Sequence, residues 1–204
     1  YLTPVLHWAK RRDLVIGDFN LEKPLQDAPR QKVLTEVELA ALVPTFKKHH
    51  GVCAKFMLLT GARITETTAA TWSQIDLEAK TWTIPPENLK DTRALQARRH
   101  KPRVALVIPL SRQAIDLLME ARMAEVARRQ LDGLTEEIRQ EDLLFVGPRG
   151  AKLGNWDRWL KATTSKTGIA GWSAHTLRRT TATLAGDLGA PPHIVSVILG
   201  HSNV

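Results

Sequence analysis

Apolar side chains along this chain recur mostly at three- and four-residue intervals, and in a few short stretches they take a strand-like pattern instead. The helical spacing becomes regular after Leu34. Thr35 and Glu38 stand at capping-box spacing ahead of Leu39, Ala40, Leu42 and Val43, so a helix is expected to begin there. Residues 52–60 form an apolar helical run that Gly61 stops, and residues 64–71 restart helically before Trp72, which pinches Arg63 between two helices. Residues 81–84 alternate Thr with apolar side chains up to Pro85 and Pro86, and residues 104–110 are a second strand-like run closed by Ser111. These two predict a hairpin or small sheet. Residues 111–129 carry Ile115, Leu118 and Val126 at helical spacing behind Ser111 as N-cap, and should form the longest helix. Residues 143–146 read as a short strand, Asn155 as the cap of a helix bearing Trp156, Trp159 and Leu160, and residues 173–188 as a helix ended by Gly189. Pro191 and Pro192 open a last helix that runs through Leu199 to Gly200.

The expected fold is mainly α with a small antiparallel β-sheet, an α+β domain whose helices carry the site. Residues 1–30 differ from the rest. A short amphipathic segment with Leu6 and Trp8 among basic residues gives way to an irregular stretch marked by Gly17, Asn20, Pro24 and Pro29. They are read as the tail of an upstream element plus a linker, with residues 31–204 as the main domain.

Composition narrows the partner. Lys and Arg total 29 against 21 Asp and Glu, a formal net charge of +8 that favours a polyanion. The excess is concentrated between the two strands, where Lys90, Arg93, Arg98, Arg99, Lys101 and Arg103 are opposed only by Glu87 and Asp91. That is a long cationic tip. The single cysteine, Cys53, lies in an apolar run, which excludes a disulfide framework and suits core packing in a reducing, cytoplasmic compartment. No apolar run approaches the roughly 18 residues of a membrane span and the first residues show no signal pattern, so a soluble protein without a membrane partner is expected.

Three short motifs can carry chemistry. In Thr60-Gly61-Ala62-Arg63-Ile64-Thr65-Glu66, an arginine follows a glycine turn at the start of a helix, where backbone N–H groups and the helix dipole also favour an anion. Glu66 shares its face and can orient the guanidinium; a plain surface ion pair explains the stretch equally well. His175 and Arg178, at i and i+3, project from one helix face, joining a group that moves protons near neutral pH to one that grips two phosphate oxygens. Taken alone, with Arg179 beside it, this is more often a solvated basic face. Leu199-Gly200-His201 ends the last helix, and its histidine serves a helix C-terminus as readily as a substrate.

Together, in this order and spacing, the three motifs resemble the tyrosine recombinase signature, and from about Leu34 onward the chain resembles the phage integrase family. Trp72 with Ile75-Asp76, the basic hairpin and Ile108-Pro109-Leu110-Ser111 belong to the resemblance, and Trp8-Ala9-Lys10 with Leu14-Val15-Ile16 are similar to the end of that family's core-binding domain. The resemblance implies a site-specific recombinase that cleaves and rejoins double-stranded DNA through a 3′-phosphotyrosyl intermediate, with neither metal nor cofactor. By the same resemblance Arg63 and Arg178 clamp the scissile phosphate, His175 is a general acid/base, His201 bonds a non-bridging oxygen, and Lys90 protonates the leaving 5′ oxygen, with Lys101 as the alternative. Arg93, Arg98, Arg99, Lys101 and Arg103 would contact DNA, and a homotetramer would form on synapsed DNA from a monomer in isolation, in a bacterial or phage-encoded element. The family's tyrosine follows the last motif, whereas here the only tyrosine is Tyr1, upstream of every motif. The expectation is a nucleophile on a segment beyond Val204 or a chain that lacks one, and no cleavage by these 204 residues alone.

Other chemistries fit less well. His49 and His50 are adjacent and diverge on a helix, Cys53 has no partner cysteine, and no Gly-x-Ser-x-Gly elbow occurs, which disfavours a metal nuclease and a serine hydrolase. A related relaxing topoisomerase matches the motif order less closely. The alternative that remains is a non-catalytic, sequence-specific DNA-binding module, for which an imidazole beside a phosphate-gripping arginine has no use.

Overall fold

The computed structural model describes residues 8–14, 32–89 and 104–200, and the chain divides into two compact units, Tyr1–Gln31 and Lys32–Val204. In the first unit residues 8–10 form a helical turn, with the Arg12 guanidinium 4.2 Å from the centre of the Trp8 ring.

The second unit starts where the capping box predicts. Helix α1, Glu36–Leu42, is capped by the Thr35 hydroxyl, which accepts from the Glu38 N–H while the Glu38 carboxylate accepts from the Thr35 N–H. Helix α2, Lys48–Thr60, is the central element and packs against α4, Arg112–Leu131, and α6, Ala174–Asp187. Its inward face carries Cys53, Ala54, Phe56 and Met57, all fully buried. Two threonines on α6 tie it to its neighbours. The Thr180 hydroxyl accepts the Leu34 N–H at 3.0 Å, and the Thr181 hydroxyl donates to the Leu58 carbonyl at 2.7 Å, so buried backbone groups find partners across the packing.

Between α3, Ile64–Thr68, and α4 lies an antiparallel sheet in the order β1, Ile75–Asp76, β2, Thr81–Ile84, and β3, Leu106–Pro109. Trp82 pairs with Ile108 and Ile84 with Leu106, a register that turns Trp82, Ile84 and Ile108 inward and leaves Thr83 and Val107 outside. Trp82 meets Phe56 at 5.3 Å between ring centres, and this contact fastens the sheet to α2. Helices α5, Trp156–Thr167, and α7, Pro192–Ile198, complete the unit. Among the described residues no helix is long and apolar enough to cross a membrane.

The structure departs from the sequence expectations in five places. Helix α2 starts at Lys48 rather than at 52, across a kink where His49 takes φ 37°. Helix α3 stops at Thr68 rather than 71; there the Thr67 and Thr68 hydroxyls bond back to the Arg63 and Ile64 carbonyls, and Thr71 leaves to bridge Leu143. Residues 143–146 accordingly make isolated bridges, Thr71 to Leu143 and Val146 to Lys152, instead of a strand. Asn155 precedes α5 but adopts the left-handed region (φ 53°) and makes no side-chain cap. The sheet has a third strand, β1, which at two residues is too short to show alternation.

Candidate functional site

The site grows from the turn that ends α2. Gly61 takes a left-handed conformation (φ 67°, ψ 10°) and its N–H returns to the Met57 carbonyl, which terminates the helix and turns the chain sharply into Arg63. Arg63 is the extended residue that opens α3. Its N–H donates to Glu66 Oε2 at 2.8 Å and its Nη1 donates to Glu66 Oε1 at 2.7 Å, so one carboxylate holds both ends of the residue. The Glu66 side chain is completely buried, whereas that of Arg63 keeps about a quarter of its surface exposed. The buried carboxylate thus holds the guanidinium, while part of the Arg63 side chain remains in contact with solvent.

The second motif approaches from α6. Ser173 caps this helix in a reciprocal pair with Thr176, which places His175 on the exposed first turn and Arg178 one turn further, where it is 5% exposed. Arg178 reaches across two other helix ends. Nη1 donates to the Gly61 carbonyl at 2.7 Å and Nη2 donates to the carbonyl of Leu199, the residue that caps α7. Both acceptors are carbonyls at helix C-termini, where the dipole favours a cation. Burial, and after it the charge of Arg63, pushes the Arg178 pKa down to about 10, against the opposing pull of Glu66. Two guanidinium groups therefore share one neighbourhood with one carboxylate. Such a place attracts an anion.

Arg63, Glu66 and Arg178 are brought together, and His175 stands on the same helix as Arg178, one turn before it. His201 lies outside the described residues, as do Lys90, Arg93, Arg98, Arg99, Lys101 and Arg103 of the cationic tip. Sequence reasoning overlooked the carbonyls of Gly61 and Leu199 as partners of Arg178. The glycine stop and the Leu-Gly-His helix end were visible signals of C-terminal carbonyls in need of donors, but nothing in the residue types says which donor arrives.

Among the described residues no group of three or more His, Cys, Asp or Glu side chains is placed to hold a metal ion. His49 and His50 instead face the carbonyls of Val146 and Gly154, and the buried Cys53 thiol has its pKa raised by desolvation.

A family model described as the phage integrase family matches residues 32–204. The chain is 28% identical over 153 residues to the tyrosine recombinase XerD of Bifidobacterium longum, covering 74% of this chain and 45% of that protein. It is 39% identical over 91 residues to the putative protein IntB of Escherichia coli K12, covering 44% of this chain and 20% of that one. The chain thus spans less than half the length of these curated relatives. Its fold is similar to that of the Tn1549 transposon integrase in complex with circular intermediate DNA (TM-score 0.64, 16% identity, 100% of this chain and 69% of that one). The fold also resembles that of the XerA recombinase (TM-score 0.63, 19% identity, 99% and 66%).

Proposed function

Because this chain belongs to the phage integrase family, we propose that it is the catalytic-domain part of a site-specific recombinase that cleaves and rejoins duplex DNA through a 3′-phosphotyrosyl intermediate. The observation that carries this reading is the meeting of Arg63 and Arg178 beside a single carboxylate, Glu66. A DNA phosphate gathers negative charge as a nucleophile adds to it, and preorganised guanidinium groups stabilise that charge without reorganising.

In the proposed reaction a tyrosine oxygen attacks phosphorus, the bond from phosphorus to the 5′ oxygen breaks, and the 5′ hydroxyl produced later attacks the phosphotyrosine of the partner strand. His175 takes the proton from the tyrosine, and Lys90, or Lys101 in its place, delivers one to the leaving oxygen. Arg63 and Arg178 hold the non-bridging oxygens, helped by His201, while Glu66 holds Arg63. Arg93, Arg98, Arg99, Lys101 and Arg103 would bind the DNA backbone, residues 1–30 would end a core-binding domain, and four protomers would assemble on synapsed DNA. We assign the tyrosine to none of the 204 residues, Tyr1 included.

The test is covalent trapping on nicked duplexes tiled across the DNA that flanks the coding gene, with the full-length protein and a denaturing gel. A protein–DNA band that resists denaturation is the expected result. Tight binding that prefers particular duplexes of the tiled set, with no such band from the full-length protein, would make the chain a sequence-specific DNA-binding module instead.

A further inference from the structure

Helix α7 has a small seat. Of residues 191–200 only Leu199 is buried, at 5% exposure, while Ile194 and Val197 face outward. Leu199 enters a place that a side chain on Gly61 would fill, since a Cβ there would stand 2.6 Å from Leu199 Cδ2. The next residue is braced as closely, for a Cβ on Gly200 would lie 2.8 Å from Cδ2 of Leu106 on β3. Gly61 therefore serves twice. Its bare Cα admits the Leu199 side chain, and its carbonyl accepts one arm of Arg178 while the Leu199 carbonyl accepts the other.

A guanidinium held at one nitrogen still swings about its stem, whereas one held at Nη1 and Nη2 has its plane fixed. The second hold exists only while α7 is docked. We propose that Leu199 is a positioning residue for Arg178: its packing over Gly61, braced by Leu106 against Gly200, places the carbonyl that orients the guanidinium, so that docking of α7 and alignment of Arg178 are one event. The functional weight of this inference rests on the reading of Arg178 as a phosphate-binding group. Because an element with so little buried surface opens at low free energy, any load on α7 or on the base of the β2–β3 hairpin reaches Arg178 through these contacts.

The inference is tested by NMR on the arginine side chains of the 15N-labelled chain, with the Arg178 Nε–Hε signal assigned by its loss in Arg178→Lys and inorganic phosphate as the titrant. Leu199→Ala should shift and broaden that signal before any phosphate is added and weaken phosphate binding about tenfold, the scale of one lost hydrogen bond. Leu199→Met, which refills the space, should restore both, and Leu106→Ala should move the signal the same way by less. The Trp82 indole signal, from the fully buried ring on the sheet, should stay in place throughout and separate positioning from general loosening. An Arg178 signal unmoved in both Leu199→Ala and Leu106→Ala would overturn the proposal. A signal that responds to Leu199→Ala but never to phosphate would uphold the positioning and overturn the phosphate reading instead.

Discussion

Glu66 and Arg178 are both buried charges, and they are compensated differently. Glu66 receives two N–H groups from the same residue, Arg63, one from the backbone and one from the side chain. Arg178 is met by carbonyl dipoles, with a like charge nearby, and its pKa falls to about 10. For a base whose folded pKa lies below its ordinary value, the penalty on the charged form is present in full below about pH 10 and is lifted only as pH rises through 10 toward the ordinary arginine range. At neutral pH the site therefore carries a constant unfavourable charge that an anion offsets. Sulfate at ten times its dissociation constant should raise the melting temperature by about 3–6 °C over chloride of equal ionic strength. Arg63→Gln should lose most of that increment, and an undiminished increment in that variant would mean sulfate binds elsewhere. The two arginines were legible in the sequence because a glycine turn and an i,i+3 pair constrain where side chains point. Their carbonyl partners were not, since every residue offers a carbonyl and only the packing selects one.

At the scale of elements, helix ends do the work. Gly61 closes α2, seats Leu199 and supplies an acceptor, so Gly61→Ala asks an L-residue to sit at φ 67° and drives a methyl into Leu199 Cδ2. The left-handed conformation alone costs about 1–2 kcal/mol. The displacement of α7 adds to it, and urea denaturation should show a loss on the order of 2–3 kcal/mol. A loss below about 0.5 kcal/mol would show that the turn tolerates a side chain and that the seat of α7 is not as tight as the contacts imply. The capping box at Thr35, the cap at Ser111 and the stop at Gly61 were all readable, because caps are local chemistry. The early end of α3 and the bridge-like residues 143–146 were not, because Thr71 and Leu143 are far apart in sequence and meet only through folding. Asn155 misled for a related reason: its residue type suits either a side-chain cap or the left-handed region, and here it takes the second.

At the scale of the molecule, the sheet and helices bring chain segments more than a hundred residues apart to one place. Arg178 bonds Gly61, 117 positions away, and α7 closes over both. The order of the motifs was the sequence signal for bringing the Gly61–Glu66 and His175–Arg178 segments together, while His201 of the third motif lies outside the described residues. Residues 90–103, with the six basic side chains of the cationic tip, lie outside the described residues. The central claim is that Arg178, with Arg63, neutralises charge on a DNA phosphate during strand cleavage. It is tested most directly by measuring covalent adduct formation by the full-length protein and its Arg178→Ala variant on two nicked duplexes, one with an ordinary scissile phosphate and one with an uncharged methylphosphonate there. On the phosphate, Arg178→Ala should lose adduct at least about 100-fold in rate, the scale of one preorganised charge-stabilising group; on the methylphosphonate most of that loss should disappear, because the charge to be neutralised is gone. An equal loss on both duplexes, or none on either, would contradict the account.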